Sequence, residues 1–197
     1  SYGEVSTTSF FPAKPLGCYG DGGAMFCDDD ELRTLLSSLC VHGKGREKYE
    51  NIRLGRNSRL DTLQAAILLP KLKAFIGYEL DAVNRVADQY SAMLASHIKT
   101  PLVPAGFRSS WAQYTLLCES NEQRSHLQGQ LKAADIPSMV YYPCGLHLQK
   151  VYAGYGYREG MLPNTEKACR CVLSLPMHPY LAAEDVERVC TVLKQNI

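Results

Sequence analysis

The spacing of apolar residues changes period several times along the chain, and each change marks an element. "EVSTTSFF" at 4–11 is rich in Thr, Val and Phe, and "GGAMFCD" at 22–28 resumes that character after a glycine-rich loop. Both read as strands. "DDDELRTLLSSLCVHG" then places Leu32, Leu35, Leu36 and Leu39 at helical spacing behind an aspartate cap, with Gly43 as the stop. A longer amphipathic run carries Leu60, Leu63, Ile67, Leu72, Phe75, Val83, Val86 and Tyr90. Ser58 and Asp61 have the spacing of a capping box at its start, and Pro70 and Gly77 are expected to bend or split it.

"HIKTPLVPAGFRSS", with two prolines, reads as a domain boundary. Beyond it "WAQYTLLCE" alternates like a strand, "NEQRSHLQGQLKAAD" has the pattern of a capped helix, and "IPSMVYYP" and "CVLSLPMHP" read as further strands. "AEDVERVCTVLKQ" closes the chain as a helix with Val186, Val189 and Leu193 on one face. So few strands among helices predict a compact α/β unit with a mostly antiparallel sheet. No internal repeat or low-complexity segment interrupts this order.

Composition narrows the function classes. Of 197 residues, 46% are hydrophobic, enough for a sizeable core. The net charge is +1, and the densest basic stretch, "KGREKYE", is broken by Glu47 and Glu50, which argues against nucleic-acid binding. No apolar run approaches the roughly 18 residues of a membrane span, and "SYGEVSTTSF" lacks the basic start and apolar core of a signal peptide. The chain reads as soluble and cytoplasmic. Eight cysteines form no Cys-x-x-Cys pair. Cys169 with Cys171, Cys40 with His42 and Cys144 with His147 lack a second pair at finger-like spacing, so buried thiols in a reducing compartment are expected and no metal site is.

One lysine stands out, in "SFFPAKPLGCYGDGGA" at 9–24. Most lysines are solvated surface residues. A lysine that follows an apolar strand and leads into glycines, however, sits where desolvation favours the neutral amine, a nucleophile toward carbonyls. Ser9, five residues before Lys14, is within reach of a phosphate bound at the same loop, and Gly17, Gly20, Gly22 and Gly23 permit close backbone approach. The glycine spacing matches neither the P-loop nor the dinucleotide fingerprint, so alone it is equally the mark of a hairpin loop.

That stretch, followed in order by "HG", "GRNSRLDTLQAAIL", "YYP" with "LHLQ", and "VLSLPMHP", resembles the pyridoxal-phosphate-dependent sugar aminotransferases of the DegT/DnrJ/EryC1/StrS group, along nearly the whole chain. The resemblance implies the C-terminal part of a fold-type I aminotransferase. Residues 1–57 would be the edge of the large cofactor-binding domain with the lysine loop, 58–99 a long linking helix region, and 100–197 the small C-terminal α/β domain. Lys14 matches the family's Schiff-base lysine and Ser9 a serine that holds the cofactor phosphate. Asn57 matches an asparagine that reaches across a homodimer interface to the neighbouring subunit's cofactor. Arg59, His147 and Tyr142 resemble residues near the nucleotide-sugar. Read without the family, Asn57 is as well explained as a helix cap, and His147 and Tyr142 as half-buried core residues; His178 reads as structural.

In the family, Lys14 would be both anchor and base. An amino donor, usually glutamate, reacts first and the keto sugar second, in ping-pong order. The wording of "SFFPAKPLGCYGDGGA" and "NSRLDTLQAAILLPKL" is closest to enzymes that aminate a UDP-linked 3-keto-2-acetamido hexuronic acid for surface-polysaccharide biosynthesis. Family members are about twice this length, with the lysine near the middle. The half that supplies the ring-stacking aromatic and the carboxylate for the pyridine nitrogen lies outside these residues, so this chain alone is expected to be inactive. Beside an aminotransferase for another keto nucleotide-sugar, two other classes stay open: a catalytically silent relative that binds cofactor, against which retention of Lys14 argues, and an interaction module made from the small domain.

Overall fold

The computed structural model describes residues 3–197. They form two compact units that divide between Gly77 and Tyr78.

The first unit opens with strands β1 (Ser6–Ser9) and β2 (Gly23–Phe26), an antiparallel pair in which Ser9 lies opposite Gly23 and Ser6 opposite Phe26. Helix α1 (Asp30–Cys40) starts where the sequence places it: the Asp29 side chain accepts from the Leu32 amide at 2.8 Å, and Asp30 and Glu31 in the first turn complement the helix dipole. His42 (φ 60°) and Gly43 (φ 73°) end it by turning left-handed.

Helix α2 (Thr62–Ala74) does not begin with a capping box. Its N-cap is Asp61, which makes no side-chain cap bond. Ser58 is three residues too early because its amide is committed to the Cys40 carbonyl at 2.9 Å, which keeps the chain extended there. Pro70 remains inside α2, and the break comes later, in a π-helical turn at Phe75–Glu79 that contains Gly77. Such a turn is a recognised cause of helix irregularity.

The second unit holds the hydrophobic core. Helix α3 (Leu80–Leu94) contributes Val86, Ala87, Tyr90 and Leu94. Strand β3 (Tyr114–Leu117) pairs antiparallel with β4 (Val172–Leu175), Tyr114 opposite Leu175. Helix α4 (Asn121–Ala133) is capped by the Ser120 hydroxyl and buries Leu127 and Leu131. Helix α5 (Pro163–Cys171) leads into β4, and α6 (Ala183–Lys194) buries Val186, Val189, Cys190 and Leu193. Fully burying each such aliphatic side chain is worth about 1.5–3 kcal/mol. Polar groups that enter this core are paired: the Tyr90 hydroxyl donates to the Pro176 carbonyl at 3.0 Å, and Ser91 meets the Tyr114 hydroxyl at 2.8 Å.

"IPSMVYYP" is not a strand. It contributes a single bridge, Met139 with Ser174, before the chain turns away. Two short 3-10 turns, Leu146–Leu148 and Lys150–Tyr155, occupy the stretch that follows. Among the described residues no helix is long and apolar enough to cross a membrane, and no group of three or more His, Cys, Asp or Glu is placed to hold a metal ion.

Candidate functional site

Lys14 sits in the loop that joins β1 to β2. The loop is tied at its base by Phe10 N–H to the Gly22 carbonyl and by Cys18 N–H to the Phe10 carbonyl, both 2.8 Å. A tight turn places the Lys14 amide on the Phe11 carbonyl, also at 2.8 Å. Beneath the loop the fully buried Cys18 thiol reaches the Phe10 and Gly20 carbonyls at 3.0 and 3.1 Å. Helix α2 adds a side-chain anchor, with Gln64 Oε1 accepting from the Tyr19 amide at 2.8 Å. The backbone that carries Lys14 is thus fixed while its side chain is exposed.

That exposure differs from the desolvated lysine expected above. The strand leading to it is itself mostly exposed, so within these residues no apolar wall lies against the amine. The loop glycines also serve a different end from close approach to a ligand. A Cβ on Gly17 would lie 2.7 Å from the Phe11 and Pro12 carbonyl oxygens, one on Gly22 would lie 2.9 Å from Leu60 Cδ1, and one on Gly23 would lie 2.8 Å from the Thr8 oxygen. Their clearance is filled by the protein itself.

Ser9 ends β1 on this same loop. Its Oγ accepts from the Phe11 amide at 3.2 Å, which leaves the hydroxyl hydrogen to donate elsewhere. Asn57 and Arg59 are positioned differently. His42 N–H donates to the Arg56 carbonyl at 2.9 Å, Arg56 N–H to Leu39 at 2.7 Å, and Ser58 N–H to Cys40 at 2.9 Å, so "GRNSR" is sewn to the end of α1, with Val41 bridging Asn57. This extended geometry rules out Asn57 as the cap of α2, whose N-cap is Asp61. A cavity of about 740 Å³ gathers Asn57, Ser58 and Arg59 with Thr7, Thr8 and the backbone of Gly22 and Gly23. Ser9 and Lys14 are outside its lining.

In the second unit, Tyr142 is 68% exposed, which removes the core reading for it, whereas His147 is 8% exposed and buried. The His147 imidazole faces Glu166 of α5, Nε2 to Oε1 at 3.1 Å, and its ring lies edge-on to Tyr157 with centroids 6.3 Å apart. Glu166 also accepts from the Gly160 and Leu162 amides. Those donors, the Gly160 amide foremost, hold its carboxyl below the usual glutamate range. Glu166 escapes sequence reasoning because nineteen residues separate it from His147 and it looks like any acidic residue in the first turn of a helix. His178 accepts from the Tyr180 amide through Nδ1 at 3.2 Å, a turn-closing role.

With this geometry in place, comparison with known proteins is informative. The model of the DegT/DnrJ/EryC1/StrS aminotransferase family matches residues 1–194. The UDP-2-acetamido-2-deoxy-3-oxo-D-glucuronate aminotransferase of Pseudomonas aeruginosa is 46% identical over 190 residues, covering 96% of this chain and 51% of that protein. A crystal structure of a DegT DnrJ EryC1 StrS aminotransferase from Brucella abortus superposes with a TM-score of 0.92 at 49% identity, over 98% of this chain and 51% of the other. The crystal structure of ntda from Bacillus subtilis, described with bound cofactor pmp, superposes with a TM-score of 0.89 at 30% identity, over 98% of this chain and 46% of the other. The chain spans about half the length of the curated relatives it matches.

Proposed function

The chain belongs to the DegT/DnrJ/EryC1/StrS aminotransferase family, and from that premise we propose that it is the lysine-bearing half of a pyridoxal-phosphate-dependent aminotransferase that moves an amino group from glutamate to a keto nucleotide-sugar. The observation that carries the reading is Lys14, kept at a fixed turn of the β1–β2 loop in a chain that follows the family from residue 1 to residue 194.

The donor set fits the cofactor in its two reactive parts. A primary amine for the aldehyde is present in Lys14, and uncommitted or partly committed donors for a phosphate are present in the Ser9 hydroxyl and in the cavity that holds Asn57. When bound, pyridoxal phosphate supplies an electron sink for cleavage of the bond next to the amino group. The protein's share is to hold and to move protons. Lys14 Nζ would hold and move the proton that the reaction shifts. Ser9 and Asn57 donate to the phosphate, and Arg59 meets anionic groups of the sugar. On the family resemblance of the "GRNSR" segment we assign Asn57 to the site of a second subunit, so that the working unit is a homodimer in the cytoplasm.

The substrate assigned is a UDP-linked 3-keto-2-acetamido hexuronic acid, on the strength of the two long motifs and the 46% identity to the Pseudomonas enzyme; the product would feed surface-polysaccharide synthesis. Borohydride treatment of the intact enzyme carrying these residues, with pyridoxal phosphate present, should fix the pyridoxyl group on the peptide that contains Lys14. Glutamate should support amination of the UDP-linked 3-keto sugar acid with a higher kcat/KM than that of a dTDP-linked 4-keto-6-deoxy sugar. Label on Lys71 or another lysine refutes the site, and the opposite sugar preference refutes the substrate.

A further inference from the structure

From residue 148 to residue 165 no side chain is buried. The segment nevertheless carries Val151, Tyr152, Tyr155, Tyr157 and Met161, all exposed large apolar or aromatic groups. Packing therefore does not explain why it holds one shape.

Local turn bonds, such as Tyr152 N–H to the Gln149 carbonyl at 2.9 Å, shape its parts, and a carboxylate at its end gathers them. Glu166 is 6% exposed, and both its oxygens are engaged by backbone amides of the segment. Gly160 N–H is shared between Oε1 and Oε2 at 2.9 Å each, and Leu162 N–H reaches Oε1 at 3.2 Å. The same Oε1 meets His147 Nε2 at 3.1 Å, which brings in the start of the segment. Two glycines make the hub possible. Gly160 adopts φ 88°, a left-handed value, to aim its amide inward. Gly145 lies where a Cβ would be 2.7 Å from His147 Cε1.

We propose that Glu166 is a positioning residue. Its carboxylate gathers Gly160, Leu162 and His147 and so fixes residues 145–162 for capture of the nucleotide-sugar. His147 on this view acts as a strut, its Nε2 spent on Glu166 and its ring out of solvent, and does not touch the sugar. That the segment meets the sugar rests on the reading in the preceding subsection; the holding itself does not.

The test compares Glu166→Ala and Glu166→Gln in the intact chain. Loss of charge-assisted hydrogen bonds predicts at least an about tenfold faster hydrogen exchange of the Gly160 and Leu162 amides in Glu166→Ala, with a matching rise in tryptic cleavage after Arg158. Amides of Leu116 and Leu173 in the β3–β4 pair should stay protected. Glu166→Gln, which keeps one oxygen acceptor, should fall between the two. Unchanged exchange at Gly160 and Leu162 while the β3–β4 amides remain protected overturns the proposal. If Glu166→Ala also unfolds the core, the same two amides in Glu166→Gln decide it. In the transamination assay, Glu166→Gln should raise KM for the sugar and leave kcat and the glutamate half-reaction unchanged; a fall in kcat at constant KM also overturns it. A wild-type enzyme that fails to transaminate refutes the preceding reading instead, and the exchange data still decide this one.

Discussion

Gly55→Ala is a sharp probe of how the Asn57 segment is built. The ideal Cβ at Gly55 would stand 2.1 Å from the Gly43 nitrogen and 2.6 Å from the His42 carbonyl carbon. The first of these falls short of the 3.4 Å of ordinary contact by about 1.3 Å. Both obstacles are backbone, so no side chain can swing aside. The two chain segments must part, and the bonds that cross between them are His42 N–H to Arg56 and Ile52 N–H to Gly43, each 2.9 Å. Losing both costs about 1 kcal/mol apiece, and residual overpacking adds about 1–3 kcal/mol. The sum is about 3–5 kcal/mol, confined to the link between α1 and "GRNSR".

Because the chain has two units, a single global unfolding curve is the wrong measurement. Native-state hydrogen exchange reads the site directly: amides of His42, Ile52 and Arg56 should lose roughly two to four orders of magnitude of protection in Gly55→Ala. Gly77→Ala is the control. Nothing lies within 4 Å of a Cβ there, and alanine is favoured over glycine inside a helix by about 0.5–1 kcal/mol. Its amides should be unchanged or better protected. Less than a tenfold change at all three amides in a folded Gly55→Ala protein would refute the close-crossing argument.

The remaining expectations are compact. Of the eight free cysteines, Cys27, Cys40, Cys144 and Cys169 should react with a thiol reagent at pH 8 before Cys18, Cys118, Cys171 and Cys190, which are buried; burial pushes the Cys118 and Cys190 thiols up to about 11, and early labelling of either contradicts this. Glu166 has its native carboxyl lowered, so its stabilisation is present above the ordinary glutamate value near 4.5 and is lost as pH falls through the native one; protection of Gly160 and Leu162 should be flat from pH 7 to about pH 5 and decline below, with His147 the titratable group facing it. Mixing intact enzymes that carry Lys14→Ala and Asn57→Ala should return part of the activity that each lacks, since one site in a mixed dimer keeps both residues; no recovery after verified subunit exchange counts against sharing.

Local signals in the sequence located most elements, and they failed where a partner distant in sequence decided the outcome. The aspartate before α1 and the serine before α4 act as their spacing indicates, because a cap is a contact within four residues. The apolar face of α6 is equally local in origin. Ser58 misleads because its amide is taken by Cys40, eighteen positions earlier. Residues 136–143 have strand composition, yet only Met139 finds an edge to pair with. Helix α5 lacks a clear apolar period in the sequence, although Pro163 at its first turn is a start signal. The position of Lys14 in a glycine-rich loop was legible from residue types. Its exposure was not, because exposure depends on what packs alongside.

The two units stand in contrast. The second encloses the core cluster entirely, from Val86 to Leu193. Among the described residues of the first, only Cys18 and Leu68 are buried apolar side chains. Helix α2 is rich in apolar residues without confining them to one face, yet its Leu63 and Leu69 are 69% and 64% exposed, as is Ile76 of the π-helical turn at 71%. β1 and β2 form a sheet of two strands, which is marginal in water without a covering layer. Cofactor chemistry at Lys14 requires a dry, shaped surrounding for the amine, and the residues that carry it bury almost nothing themselves. The geometry that these residues do fix is the backbone: the turn at Lys14, the hydroxyl at Ser9 and the clamped "GRNSR" segment. On the proposed reading unit 1 supplies reactive groups in set positions, while its own large apolar side chains stay mostly exposed.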